Sequence, residues 1–144
     1  MSLFDQLVIH GMPFVPKFIV GRVASRYVAG ETVDDAVATL KAMNEEGAMG
    51  TVDVLGEEVR EPEKAVRAVE QYLGLLDRIE ADRLDANVSI KPTMLGLKID
   101  EQLCIDNVSR VVARAEQLKN FVRIDMEDHT CTEATLNLYR TVHD

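Results

Sequence analysis

The stretch NVSIKPTMLGL, residues 87–97, decides the fold that this sequence predicts. Its first five residues form a short β-rich run that ends in a lysine, and the proline at position 92 favours a break after it. Similar runs, TVDVL from residue 51 and FVRID from residue 121, begin 36 residues before it and 34 residues after it. Helical patterns fill both intervals. The sequence therefore predicts βαβ units with a parallel sheet and right-handed crossovers.

Apolar residues spaced three and four apart predict the helices between these strands. Pro62 favours the start of the first, whose apolar side comprises Ala65, Val66, Val69, Tyr72, Leu73, Leu76 and Ile79. The apolar side of the second comprises Leu103, Val108, Val111, Val112, Ala115 and Leu118. A last helix follows the third strand, and Thr130 and Glu133 are candidates for its cap.

Two further helices are predicted before the first strand. One pattern covers residues 15–27 with Pro16 in its first turn, and the other begins at a capping box of Thr32 and Asp35 and runs to Gly47. We therefore divide the chain into a helical lead-in, residues 1–49, and three βα units, residues 50–144.

Composition and charge exclude several classes of function. The net charge of -9 argues against a nucleic-acid partner, because phosphate backbones are bound by clustered cations. The sequence contains no apolar run that approaches the length of a membrane-spanning helix, and Asp5 and His10 interrupt the N-terminal apolar stretch. These features predict a cytoplasmic protein. Cys104 and Cys131 stand in no metal-binding spacing and are predicted to be free thiols.

Charged residues collect where each predicted strand ends, which is the edge that carries the sites of parallel α/β folds. Asp53 and Glu57 follow the first strand, Lys91 closes the second, and Asp125 closes the third. A lysine among these acids can pair with a carboxylate substrate, can form a Schiff base if its pKa is lowered, or can merely neutralise its neighbours. The sequence leaves these three roles open.

The segment DMEDH, residues 125–129, has the residue types of a divalent-metal site. Consecutive residues at a strand end do not all point to one ion, because only alternate side chains share a face. We therefore predict no metal, with one acid facing inwards and the others on a solvated loop.

Three segments carry a family resemblance: VDVLGE at 52–57, NVSIKPTMLGL at 87–97, and FVRIDMED at 121–128. In this order and spacing the chain resembles the first three barrel strands of the monofunctional bacterial proline dehydrogenases, and RYVAGET at 26–32 extends the likeness into the lead-in. The resemblance implies a (β/α)8 barrel that holds FAD and oxidises L-proline to Δ1-pyrroline-5-carboxylate. It also implies transfer of electrons to a membrane quinone, and hence peripheral contact with the inner membrane.

The resemblance implies a role for each charged residue. Lys91 matches the lysine that helps to hold the substrate carboxylate, and Asp125, followed by Met126, matches the aspartate beside flavin and substrate. Asp53 and Glu57 match the acids of the first strand and its loop, the latter resembling a glutamate that pairs with a substrate-gating arginine. The family's carboxylate-binding arginines and most of its FAD contacts belong to barrel segments beyond these three units. We therefore expect this chain to be inactive alone.

Two alternatives and one consequence accompany this interpretation. One alternative is a class I aldolase with Lys91 as Schiff-base nucleophile and Asp53 or Asp125 as proton carrier. The other is a non-catalytic half barrel that acts as an assembly or interaction module. Because strands that are apolar across their length would leave an apolar inner face open, we also predict a homo-oligomer that buries this face; the alternative is that the helices before Gly47 fold back over it.

Overall fold

The computed structural model describes residues 28–30 and 32–143, so the helix predicted within residues 15–27 lies outside the described part. The part of the chain from Val37 onwards forms a compact unit. Helix α1 spans Val33–Glu45 and begins with the predicted capping box. The Asp35 amide donates to Thr32 Oγ1 at 3.2 Å and the Thr32 amide donates to Asp35 Oδ2 at 3.1 Å. The start predicted for this helix is therefore confirmed.

After α1, this unit alternates strands and helices. Its elements are β1 (Gly50–Asp53), α2 (Pro62–Ala81), β2 (Ala86–Ile90), α3 (Glu101–Gln117), β3 (Val122–Ile124) and α4 (Thr132–His143). The three strands form one parallel sheet in the order β1-β2-β3, with Val52 opposite Val88 and Val88 opposite Val122. The predicted α/β fold with a parallel three-stranded sheet is confirmed.

Helices α2 and α3 cover one face of the sheet and bury its side chains. Val88 and Ile90 are completely buried there, and the helices contribute Ala65, Ala68, Val69, Tyr72, Leu75, Leu76, Ile79, Cys104, Val108, Val111 and Ala115. The predicted apolar side of α2 was wrong at Val66, which is 40% exposed. At about 100° per residue, Val66 turns away from the row through Ala65, and Ala68 completes that row instead.

The other face of the sheet is polar. It carries Thr51, Asn87, Ser89 and Arg123, which alternate with the core residues along the three strands. Thr51 Oγ1 donates to Asn87 Oδ1 at 3.1 Å. The prediction of strands that are apolar across their length was therefore wrong, because only every second side chain faces the helices.

Alkaline pH should expose the contribution of Tyr72 to stability. Its ring is fully buried, and burial raises the pKa of its hydroxyl to about 12 from the ordinary 10.0. Between these values the unfolded chain has lost this proton and the native chain has kept it. The stability present below pH 10 therefore declines as the pH rises through 12, by roughly 1.4 kcal/mol per pH unit for one proton.

Urea unfolding of the chain and of Tyr72→Phe at a series of pH values tests this expectation. The variant lacks the titrating group, so its free energy of unfolding should fall less steeply above pH 10. Cys104, whose pKa is also raised to about 12 by burial, contributes equally to both proteins. Identical slopes for the two proteins would contradict the assignment to Tyr72.

Candidate functional site

The carboxyl edge of the sheet brings the predicted charged residues together around Lys91. Lys91 Nζ lies 2.8 Å from Glu57 Oε1 and 3.8 Å from Asp53 Oδ2. Asp125 lies next to them, and its Oδ1 accepts a hydrogen bond of 2.7 Å from Ser89 Oγ. Parallel pairing explains the arrangement, because Ser89 of β2 is opposite Asp53 of β1 and is also opposite β3.

Lys91 is held in its charged form. Its side chain is only 18% exposed, and the hydrogen bond that its ammonium donates to Glu57 raises the pKa of that ammonium, with smaller contributions from the charges of Asp53 and Asp125. Burial opposes this shift and is outweighed. At neutral pH the edge therefore presents a fixed cation, which suits the binding of a carboxylate and not the formation of a Schiff base.

The loop between β2 and α3 is buried and well ordered by hydrogen bonds. The Met94 amide donates to the Lys91 carbonyl at 3.0 Å, and the Leu97 amide donates to the Pro92 carbonyl at 3.0 Å. Gly96 has a φ of 107°, and a side chain at that position would also approach Leu103 to 3.2 Å. This loop therefore fixes the backbone that follows Lys91.

The sequence did not point to Thr93, and the prediction that Glu127 is one of the solvated loop acids was wrong; both residues belong to this edge. Thr93 is 1% exposed, and both its amide and its hydroxyl donate to the carboxylate of Glu127, at 2.8 and 2.6 Å. A threonine after a proline is common in surface turns, so only the loop packing reveals its burial. The pattern PTMLGL is the one available signal, because four of its six residues are apolar.

A cavity of about 270 Å³ opens beside Lys91 at this edge. Its lining comprises Glu57, Glu58, Lys91, Thr93, Lys98, Asp125, Met126, Glu127 and Asp128. Met126 is 51% exposed at the cavity. His129 is exposed outside this lining, and hydrogen bonds from Thr130, together with Lys98, lower the pKa of Asp128. Among the described residues no group of three or more His, Cys, Asp or Glu side chains is placed to hold a metal ion.

Comparison with known proteins identifies the family of the domain that carries this edge. A family model described as proline dehydrogenase matches residues 36–144, which include all three strands and the residues around Lys91. The chain belongs to the proline dehydrogenase family. The family resemblance stated from the sequence is thereby confirmed.

Curated members of the proline dehydrogenase family match most of this chain. Proline dehydrogenase 1 of Bacillus subtilis strain 168 is 35% identical over 117 residues, which are 81% of this chain and 39% of that protein. The proline dehydrogenase of Deinococcus radiodurans is 34% identical over 122 residues, 83% of this chain and 39% of that protein. The chain thus spans about two fifths of the length of the curated relatives that it matches.

A solved structure shares the fold. The crystal structure of proline utilization A from Bdellovibrio bacteriovorus superposes with a TM-score of 0.70 at 21% sequence identity. The match covers 80% of this chain and 14% of that one. At this identity the likeness supports the α/β fold of the present chain and no more than its fold.

Proposed function

We propose that this chain forms the first three βα units of a (β/α)8 barrel, and that the complete barrel is an FAD-dependent proline dehydrogenase. The reaction is the oxidation of L-proline to Δ1-pyrroline-5-carboxylate in proline catabolism. The observation that carries the proposal is the charged Lys91, which stands among carboxylates at the carboxyl edge of a parallel sheet in a proline dehydrogenase family domain.

Lys91 is proposed to bind the carboxylate of L-proline. The Glu57 side chain, which accepts the Lys91 hydrogen bond, is 61% exposed. A substrate carboxylate can therefore replace Glu57 without leaving the ammonium unpaired. Asp53, at 3.8 Å, keeps Lys91 protonated when Glu57 leaves. Asp125 is directed towards the same cavity by Ser89 and is proposed to face both substrate and flavin.

The residues of this edge fit one end of an FAD molecule. Met126 offers an exposed thioether that suits contact with an aromatic flavin ring, and Asp125 offers a carboxylate acceptor beside it. The diphosphate end does not fit here, because Glu58, Glu127 and Asp128 are acidic and Lys98 is already paired. Bound FAD would supply the acceptor for the hydride that leaves C5 of proline.

The two alternatives have less support. A class I aldolase needs a lysine with a lowered pKa, whereas the pKa of Lys91 is raised by Glu57. A non-catalytic half barrel gives no reason for a charged lysine at the cavity. The absence of borohydride-trapped adducts with carbonyl substrates would separate the dehydrogenase from the aldolase. Proline-dependent dye reduction by the complete barrel would separate it from the non-catalytic half barrel.

Cellular placement and electron transfer follow from the same proposal. None of the helices in residues 28–30 and 32–143 is long and apolar enough to cross a bilayer. We propose a cytoplasmic enzyme that delivers electrons to a quinone at the surface of the inner membrane. Vesicles that contain a quinone, added to the proline-reduced enzyme, test the acceptor directly.

Self-association is proposed through the strand edges. The sheet face turned away from the helices is polar, so burial of an apolar face gives no reason for a homo-oligomer. However, β1 and β3 each pair on one side only within the described sheet. Their unpaired backbone groups are suited to adding a strand from a second copy. Sedimentation at micromolar concentration tests this, and a monodisperse 16.1 kDa particle would contradict it.

The isolated 144-residue polypeptide should neither retain FAD nor oxidise proline. Its described residues supply only the acidic carboxyl edge of the sheet, on one side of the flavin. A preorganised site also needs groups on the other sides of the flavin. The measurement is the 450 nm flavin absorbance after gel filtration with FAD, together with dye reduction with and without proline. Proline-dependent dye reduction above the control without proline would contradict this expectation.

A further inference from the structure

Thr93 connects the three loops at the carboxyl edge of the sheet. Its hydroxyl donates to Glu127 Oε1 in the β3–α4 loop at 2.6 Å, and its amide donates to Glu127 Oε2 at 2.8 Å. The same hydroxyl accepts a hydrogen bond of 3.0 Å from the Glu58 amide in the β1–α2 loop. One buried residue of the β2–α3 loop is therefore bound to both neighbouring loops.

Each residue in this connection lies close in sequence to a charged residue of the site. Thr93 follows Lys91 by two positions, Glu58 follows Glu57 by one, and Glu127 follows Asp125 by two. A displacement of Glu58 would carry Glu57 away from Lys91, to which it now lies at 2.8 Å. The Thr93 hydrogen bonds therefore connect the loops that carry the residues around Lys91.

A second connection between the same loops is weaker. Lys98 pairs with Glu58 at 2.7 Å and with Asp128 at 3.2 Å, but the side chains of these two acids are 52% and 40% exposed. Exposed ion pairs contribute little, because water competes for both charges. Charge-assisted hydrogen bonds at a buried threonine are stronger, so Thr93 is the main connection.

We propose that Thr93 is a positioning residue that fastens the β1–α2 and β3–α4 loops to the β2–α3 loop and thereby holds Glu57 and Asp125 beside Lys91. Glu127 is its acceptor and acts with it. The inference rests on the proposed function for the part that Lys91 plays in binding substrate. The connection among the loops stands on the hydrogen bonds alone.

Nuclear magnetic resonance on the 144-residue chain tests the proposal with the variant Thr93→Val, which keeps the shape of the side chain and removes the hydroxyl. The Glu58 amide should exchange with solvent at least about fivefold faster, since it loses its acceptor. The pKa of the Lys91 ammonium should fall towards the ordinary lysine value, because Glu57 moves away. Thr93→Ser should restore both readings.

The matched control is Thr51→Val, which removes the hydroxyl of a threonine in β1, near the amino end of the sheet. Thr51 bonds to Asn87, so both readings should stay at their wild-type values. If Thr93→Val does not fold, Thr93→Cys replaces the hydroxyl with a weakly hydrogen-bonding thiol of similar size, and the same two changes are expected. An unchanged Lys91 titration in the folded variant would overturn the proposal.

These readings need neither proline nor flavin, so they separate the two proposals. Altered titration in Thr93→Val together with proline oxidation that is insensitive to Lys91 would support the positioning role and remove the proposed function. Unaltered titration together with a Lys91-dependent activity would do the reverse.

Discussion

Replacing Lys91 with methionine in a complete barrel that carries this chain should lower kcat/KM for L-proline by about ten- to a hundredfold. Methionine keeps most of the length of the side chain and removes the ammonium. The loss corresponds to the one charge-assisted hydrogen bond that we propose between Lys91 and the substrate carboxylate. It should be expressed mainly in KM, because a carboxylate remote from the reacting C5 is bound similarly in the ground state and in the transition state.

Steady-state kinetics with an artificial electron acceptor measure this effect. Lys41→Met is the matched control, because Lys41 forms a comparable 2.8 Å ion pair, with Asp82, away from the cavity. The control should retain wild-type kcat/KM within about twofold. Equal kinetics in Lys91→Met and wild type would remove Lys91 from the site.

Replacing Leu76 with alanine should lower the free energy of unfolding by about 2 to 5 kcal/mol. Leu76 is completely buried in α2 and belongs to the core beneath the sheet. Truncation removes apolar contacts and leaves a cavity that close-packed neighbours fill only in part. Because this loss is comparable to the net stability of a small domain, the variant should be largely unfolded well below the denaturant midpoint of the wild type.

Chemical denaturation followed by circular dichroism provides the measurement for Leu76→Ala. Leu136→Ala is the control within another helix, since Leu136 is 42% exposed in α4, and its cost should stay below about 1 kcal/mol. A cost for Leu76→Ala as small as that of Leu136→Ala would show that α2 does not pack as described.

The strands were predictable because their residue pattern is local. The runs at 51–55, 87–91 and 121–125 gave all three strands in the right order, but each observed strand ends one or two residues earlier. The difference arises where Lys91 and Asp125 leave the sheet for loops whose hydrogen bonds depend on tertiary packing. Asp125 still donates its amide to the Ile90 carbonyl at 3.0 Å, so its departure from the ladder is slight.

The polar face of the sheet, opposite the helices, could also have been predicted from the sequence. Thr51 and Asp53, Asn87 and Ser89, and Arg123 alternate with apolar residues, which is the pattern of a strand with one face turned from the core. The prediction of apolar strands followed the core residues and passed over this alternation. A polar face gains little from burial, so the physical reason for a homo-oligomer that covers it is lost.

The grouping of Asp53, Glu57 and Lys91 could be predicted because parallel strands end at one edge of a sheet. The connection through Thr93 and Glu127 could not be predicted, since it joins residues 34 positions apart by side-chain hydrogen bonds. Such bonds depend on loop conformations that have no periodic signature in the sequence.

We propose that Lys91 binds the carboxylate of a proline substrate, and a comparison of two substrates tests this role directly. The relative kcat/KM of Lys91→Met and wild-type complete barrels should be measured with L-proline and with pyrrolidine, which lacks the carboxylate. The expected loss is about ten- to a hundredfold with L-proline and almost absent with pyrrolidine. An equal loss with both substrates would contradict it.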